Sequence, residues 1–188
     1  MAVQTLPAQK TKPLTYEEYR ALPEDGNRYE VVGGGLIMTA APMVDHQHVL
    51  KRLFRVLDRW AQANNWGEIY FAPIEVYLGE EDFLQPDLVG VSKARLGIVK
   101  EKNIVGTPDL IVEILSFSTA RYDRIHKANT FAKHGVPHYW ILDPAPHTLE
   151  AFELEKGKYR LVFAQSEDDG FEPTLFPGLK IPLGELWK

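Results

Sequence analysis

Apolar residues in "VDHQHVLKRLFRVLDRWAQANN" (44–65) recur at Val49, Leu50, Leu53, Phe54, Leu57 and Trp60. That spacing keeps them on one face of a helix, and Asn64, Asn65 and Gly67 mark its end. Upstream, "TYEEYRALP" (15–23) predicts a short helix, with Thr15 as cap, Glu18 at the capping-box position and Pro23 as terminator. "NRYEVVGGGLIMTA" predicts two strands folded back around Gly33, Gly34 and Gly35. Strand patterns follow at 68–78 ("EIYFAPIEVYL") and 87–92 ("DLVGVS"), with "GEEDFLQP" between them as a polar loop. "ARLGIVKEK" predicts a further short helix.

"DLIVEIL" (109–115) is almost continuously apolar, the mark of a strand covered on both faces. A second long helix is expected over 119–135, capped by Ser118 or Thr119 and stopped by Gly135. "HYWILD" (138–143) is again a strand, so 109–143 form a strand–helix–strand crossover with one parallel pair. A C-terminal hairpin turns through "EKGK", and the tail "FPGLKIPLGELW" packs back on the body. The fold class is therefore α/β with a mixed sheet. Residues 1–13 are polar and proline-bearing, expected to be a flexible arm ahead of a single domain at 14–188.

Composition adds boundaries. The chain has 188 residues, no cysteine and a net charge of −5. Disulfides and thiolate metal sites are excluded. No apolar run approaches the roughly 20 residues of a membrane span, and no signal-peptide pattern opens the chain, so a cytoplasmic protein with no membrane partner is expected. The acidic balance argues mildly against a non-specific nucleic-acid binder. It is compatible with carboxylates that hold a cation.

Those carboxylates are the main chemical signal. Glu113 sits in the middle of the buried strand, and a Pro-Asp pair, Pro108-Asp109, precedes it. Asp109 and Glu113 are roughly 13 Å apart along that strand, too far to share a cation. The other Pro-Asp, Pro86-Asp87, opens the strand at 87–92. If the two strands are neighbours, Asp87 and Glu113 come within one strand spacing, about 4.8 Å. Two carboxylates that close repel unless a proton or cation lies between them, and Mg²⁺ or Mn²⁺ suits oxygen donors. The alternative for Glu113 is a buried ion pair. The position two after Glu113 is Leu115, where a nuclease motif would carry lysine. Lys127, at the edge of the next helix's apolar stripe, has two destinations: a surface pair with Asp123 at i, i+4, or a reach inward to the strand end. Tyr122, at the start of that helix, is placed to touch a phosphate. The neighbouring His46 and His48 do not share a helix face, so zinc is not indicated.

"RYEVVGGGL", "DHQHV", "QPDLVGVS", "GTPDLIVEILSFSTARYDRIHK" and "HGVPHYWILDP" occur in series, and on them the chain resembles the Uma-two family of restriction endonucleases, within the PD-(D/E)XK nuclease superfamily, from about Thr15 to Trp187. The resemblance implies a restriction-endonuclease-like core of helix, three strands, helix and strand, with hairpins at either end. It implies metal carboxylates at Asp87 and Glu113, and a catalytic lysine displaced to the following helix, at Lys127. It adds Glu30 in the first strand as a catalytic acid and His46 as a contact to substrate or to a carboxylate. The implied activity is Mg²⁺- or Mn²⁺-dependent hydrolysis of DNA by a homodimer. Phe117 stands where the family usually has proline, and Gly33 where it often has aspartate. The acidic charge supports an alternative, an inactive nuclease-fold module for nucleic-acid binding or assembly.

Overall fold

The computed structural model describes residues 13–23, 25, 27–39, 41–116, 120–166 and 170–188. Nearly all of the arm, Phe117 and the proposed caps Ser118 and Thr119 lie outside them. Helix α1 (Tyr16–Arg20) carries the capping box: the Thr15 side chain accepts from the Glu18 N–H, and the Glu18 carboxylate accepts from the Thr15 N–H. Strands β1 (Arg28–Val32) and β2 (Gly35–Thr39) form the first hairpin. Its turn residues Gly33 and Gly34 have φ of 57° and 76°, a combination that suits a two-residue hairpin turn and that residues with a Cβ resist. Helix α2 spans Val44–Ala63.

The next strands are β3 (Gly67–Phe71), β4 (Val76–Gly79), β5 (Asp82–Leu84) and β6 (Leu88–Ser92). A 3₁₀ turn (Lys93–Ile98) and β7 (Ile104–Val105) lead into β8 (Leu110–Ile114). The predicted crossover helix is a composite: α3 (Ala120–Tyr122), a π-helical turn (Asp123–Lys127) and α4 (Ala128–Lys133). Then come β9 (His138–Asp143), β10 (Thr148–Glu155), β11 (Lys158–Ser166), the short pair β12 (Gly170–Phe171) and β13 (Ile181–Pro182), and α5 (Leu183–Trp187). No helix among the described residues is long and apolar enough to cross a membrane.

The expected mixed sheet is present, and the described residues form two larger sheets, each with a parallel pair, and a two-stranded ribbon. One sheet runs β2-β1-β5-β4-β7 and the other β11-β10-β9-β8-β6-β3. The parallel pair inferred from the crossover is β8–β9, with Leu110 opposite His138. The run 68–78 breaks at Pro73, which has no N–H for a ladder, so β3 joins one sheet and β4 the other. The segment read as a polar loop contains β5, whose three residues are all buried. Its aspartate disguised it. Asp82 is satisfied inside the fold by the Gly33 N–H at 2.8 Å, His134 Nε2 at 2.6 Å and Lys133 Nζ at 3.3 Å.

The long sheet is covered on both faces. On one side, α2 lays Val49, Leu50, Leu53 and Leu57 against Leu88, Leu110, Val112, Ile114 and Trp140, and the tail adds Phe176 and Leu186. On the other, Ile111, Leu115, Tyr139 and Ile141 meet Phe131 of α4 and Leu84 of β5. Side chains alternate across a strand, so Glu113 shares its face with Ile111. That face lies under the composite helix and the shorter sheet.

Candidate active site

The register of the long sheet brings the acids together. Leu88 pairs with Val112 in the antiparallel β6–β8 ladder; one step further along, Asp87 lies beside Glu113. Both are buried, 2% exposed each, and so is Glu30 on β1, which the shorter sheet holds above them. Lys127 enters from the composite helix and is also buried. Its Nζ lies 2.9 Å from Glu113 Oε1, 3.1 Å from Glu30 Oε1 and 3.4 Å from Asp123 Oδ1. Glu30 Oε2 is also 2.9 Å from Nζ, but the aligned hydrogen bond goes to Oε1.

The π turn contributes to this placement. The Ala128 N–H bonds back to the Asp123 carbonyl, five residues earlier. That carbonyl also accepts from the buried Tyr139 hydroxyl at 3.1 Å. The extra residue in the turn re-aims the side chains around it, and here both Asp123 and Lys127 face inward. The Asp123–Lys127 pair that suggested a surface contact is real and buried.

Asp87 is the most tightly held acid. Its Oδ2 accepts from the Ile114 N–H at 2.8 Å and lies 3.0 Å from His46 Nε2; its Oδ1 accepts from Arg28 at 3.0 Å. Burial opposes its charge, but His46, Arg28 and the Ile114 N–H outweigh burial and hold its pKa far below the usual range. Glu113 goes the other way: burial, reinforced by Asp87, Asp123 and Glu30, pushes it well above the ordinary value despite Lys127. Burial disfavours the charge of Lys127 too, yet Glu113, Glu30 and Asp123 overcome this, so the ammonium keeps its proton.

Glu30 accepts the Gln85 N–H at 2.8 Å and lies 3.7 Å from Arg28. Tyr122 stacks on His126, with ring centroids 5.2 Å apart, and its hydroxyl is buried without a hydrogen-bond partner among the described residues. Burial, then Glu30, push its pKa up, so it remains a neutral donor. Asp109 lies outside the cluster and accepts the Ser92 N–H at 2.7 Å.

Two members of the site were not singled out from sequence. Arg28 was readable only as a neighbour of Glu30, although two residues apart on a strand means one shared face. Asp123 was visible only as the surface partner of Lys127. Among the described residues, four carboxylates (Glu30, Asp87, Glu113, Asp123) face two cations, Arg28 and Lys127, an excess of two formal negative charges. Among the described residues no three His, Asp or Glu side chains converge as a metal cage. The donors do fit a hard divalent cation held by two carboxylates, since Mg²⁺ commonly keeps several waters.

A sheet containing a parallel pair and flanked by helices thus buries acids and a lysine at one strand pair. The family described as "Putative restriction endonuclease" (Uma2) matches residues 16–184, and the chain belongs to that family. A crystal structure described as "a putative nuclease belonging to DUF820", from Anabaena variabilis ATCC 29413, has the same fold. It superposes with a TM-score of 0.77 at 19% identity, covering 93% of this chain and 98% of that one. No curated protein matches the chain.

Proposed function

We propose that this protein is a divalent-metal-dependent endonuclease that hydrolyses DNA, with Asp87 and Glu113 as metal ligands and Lys127 as the catalytic cation. The observation that carries this is the position of Lys127: its buried ammonium lies 2.9 Å from Glu113, with Asp87 one residue ahead of the adjoining strand β6. Family membership supports the same reading.

The reaction joins the oxygen of water to phosphorus and breaks one phosphorus–oxygen ester bond; the leaving alkoxide takes up, overall, the proton that the water gives to solvent. Bound Mg²⁺ or Mn²⁺ would supply Lewis acidity toward the scissile phosphate. Lys127, held protonated, serves as a fixed positive charge for the developing phosphorane rather than as a base. Glu30 and Asp123 hold that ammonium in place. His46 and the Ile114 N–H orient Asp87, and the neutral Tyr122 hydroxyl is a donor for a phosphate oxygen. Cutting both strands calls for two such sites, which a two-fold homodimer supplies.

Plasmid nicking in Mg²⁺ or Mn²⁺ tests the assignment. Wild type should cut, while Asp87→Ala, Glu113→Ala and Lys127→Ala should not; activity persisting in all three overturns it. A second reading, an inactive nuclease-fold module, draws on the ion pairs, which neutralise much of the cluster without a metal. Calorimetry showing no Mn²⁺ binding to wild type would favour it.

A further inference from the structure

Arg28 occupies the position in the cluster that a cation would need. The two oxygens of Asp87 are unequally committed. Oδ2 already faces two groups, the Ile114 N–H and His46 Nε2. Among the described residues, Oδ1 faces one partner, the Arg28 guanidinium at 3.0 Å. The oxygen most available to a metal is therefore the one that Arg28 holds. The same guanidinium lies 3.7 Å from Glu30 and feels Glu113, so it is drawn to all three acids nominated from sequence.

Arg28 and Lys127 differ in their exposure. The Lys127 side chain is 4% exposed, enclosed by Glu30, Glu113 and Asp123. The Arg28 side chain is 21% exposed and starts at the first residue of β1, although its Nε and Nη2 atoms are buried. Two cations bound to one carboxylate oxygen repel each other. Of the two, only Arg28 can yield without disturbing the catalytic lysine.

We propose that Arg28 is the resident counter-ion of this acidic cluster and that a divalent cation enters by displacing its guanidinium from Asp87. This rests on the metal-site reading above. Arg28 thus acts as a positioning residue that sets the affinity for metal. It keeps Asp87 charged and aimed while metal is absent, at the cost of weaker metal binding.

The experiment is Mn²⁺ calorimetry on wild type, Arg28→Gln and Arg28→Lys, with thermal melting of each, alongside nitrogen-15 NMR of the wild-type Arg28 side chain during Mg²⁺ titration. Arg28→Gln should bind Mn²⁺ about tenfold more tightly than wild type, the scale of a close charge pair. Arg28→Lys, which keeps the charge, should stay near wild type. In wild type, Mg²⁺ should release the restrained Arg28 guanidinium, seen as faster rotation and a shifted Nε–Hε signal. An Arg28→Gln affinity equal to or weaker than wild type overturns the proposal, because a merely structural arginine predicts that result. So does an unchanged Arg28 signal at saturating Mg²⁺, a readout that does not depend on any variant folding. If none of the folded proteins binds Mn²⁺, the metal-site reading fails and takes this proposal with it, an outcome distinct from equal binding by all three.

Discussion

Asp87 and Glu113 are neighbours with opposite electrostatic fates, and that contrast yields the sharpest pH predictions. Asp87 has a depressed pKa in the fold. Its contribution to stability is present above the unfolded value, about 3.9, and is lost as pH falls through the folded one. Asp87→Asn should therefore destabilise the protein at neutral pH, by about 3–5 kcal/mol for a broken buried pair, read by denaturant unfolding. Glu113 has a raised pKa. Folding favours its protonated form, so that stabilisation is lost as pH rises through the folded value. Metal-free wild type should lose stability over that rise, and Glu113→Gln should not; parallel curves for the two proteins would refute the shift. Lys127→Met removes the ammonium while leaving both proposed ligands. It should reduce cleavage by about 10²-fold or more yet leave Mn²⁺ binding at least as tight, measured on the same preparation. Legibility at this scale was uneven. Glu113 stood out as a charge inside an apolar run, whereas Arg28 looked like any charge at a strand start.

Among the elements, the π turn and the short strand β5 matter most. Ile125 lies within the π turn and is 45% exposed, so deleting it removes little core. The deletion should restore an ordinary helical turn and swing Lys127 away from Glu113. The expected result is near-native circular dichroism with cleavage lost; full activity would show that the extra residue is not needed. β5 connects the first hairpin to the end of α4 through Asp82, which meets Gly33, His134 and Lys133. Burial raises the Asp82 pKa, but these partners together bring it below the ordinary value. Asp82→Asn should cost about 1–3 kcal/mol and speed hydrogen exchange at the Gly33 amide. The wild-type advantage should disappear as pH falls through the folded Asp82 value. Long elements with a clear period, such as α2, were legible from sequence. β5 was not, because three residues are too few for a pattern and its aspartate signals a loop.

At the scale of the whole molecule, the site is a clamp between two sheets: Glu30 comes from one, and Asp87 and Glu113 from the other. A divalent cation seated among them would stabilise the folded state over the unfolded chain. At a Mn²⁺ concentration 100 times its Kd the gain should be about 2.7 kcal/mol, an increase of about 5–10 °C in Tm for a chain of this size. Glu113→Ala should erase the increase. Mn²⁺ leaving the wild-type Tm unchanged would favour the inactive module.

The sequence by itself determined much of the local order: the long helix α2, that "DLIVEIL" is a strand covered on both faces, and that Asp109 stands too far along that strand to share a cation with Glu113. These follow from side-chain period and rise per residue, which are properties of a short stretch of chain. Only the tertiary structure decided that 68–78 divides between two sheets, that Glu30 closes over the other acids, and that Lys127 turns inward through a π turn. It alone revealed that Arg28 holds Asp87. Each of these depends on contacts between residues far apart in the chain, where burial and charge balance prevail over local preference.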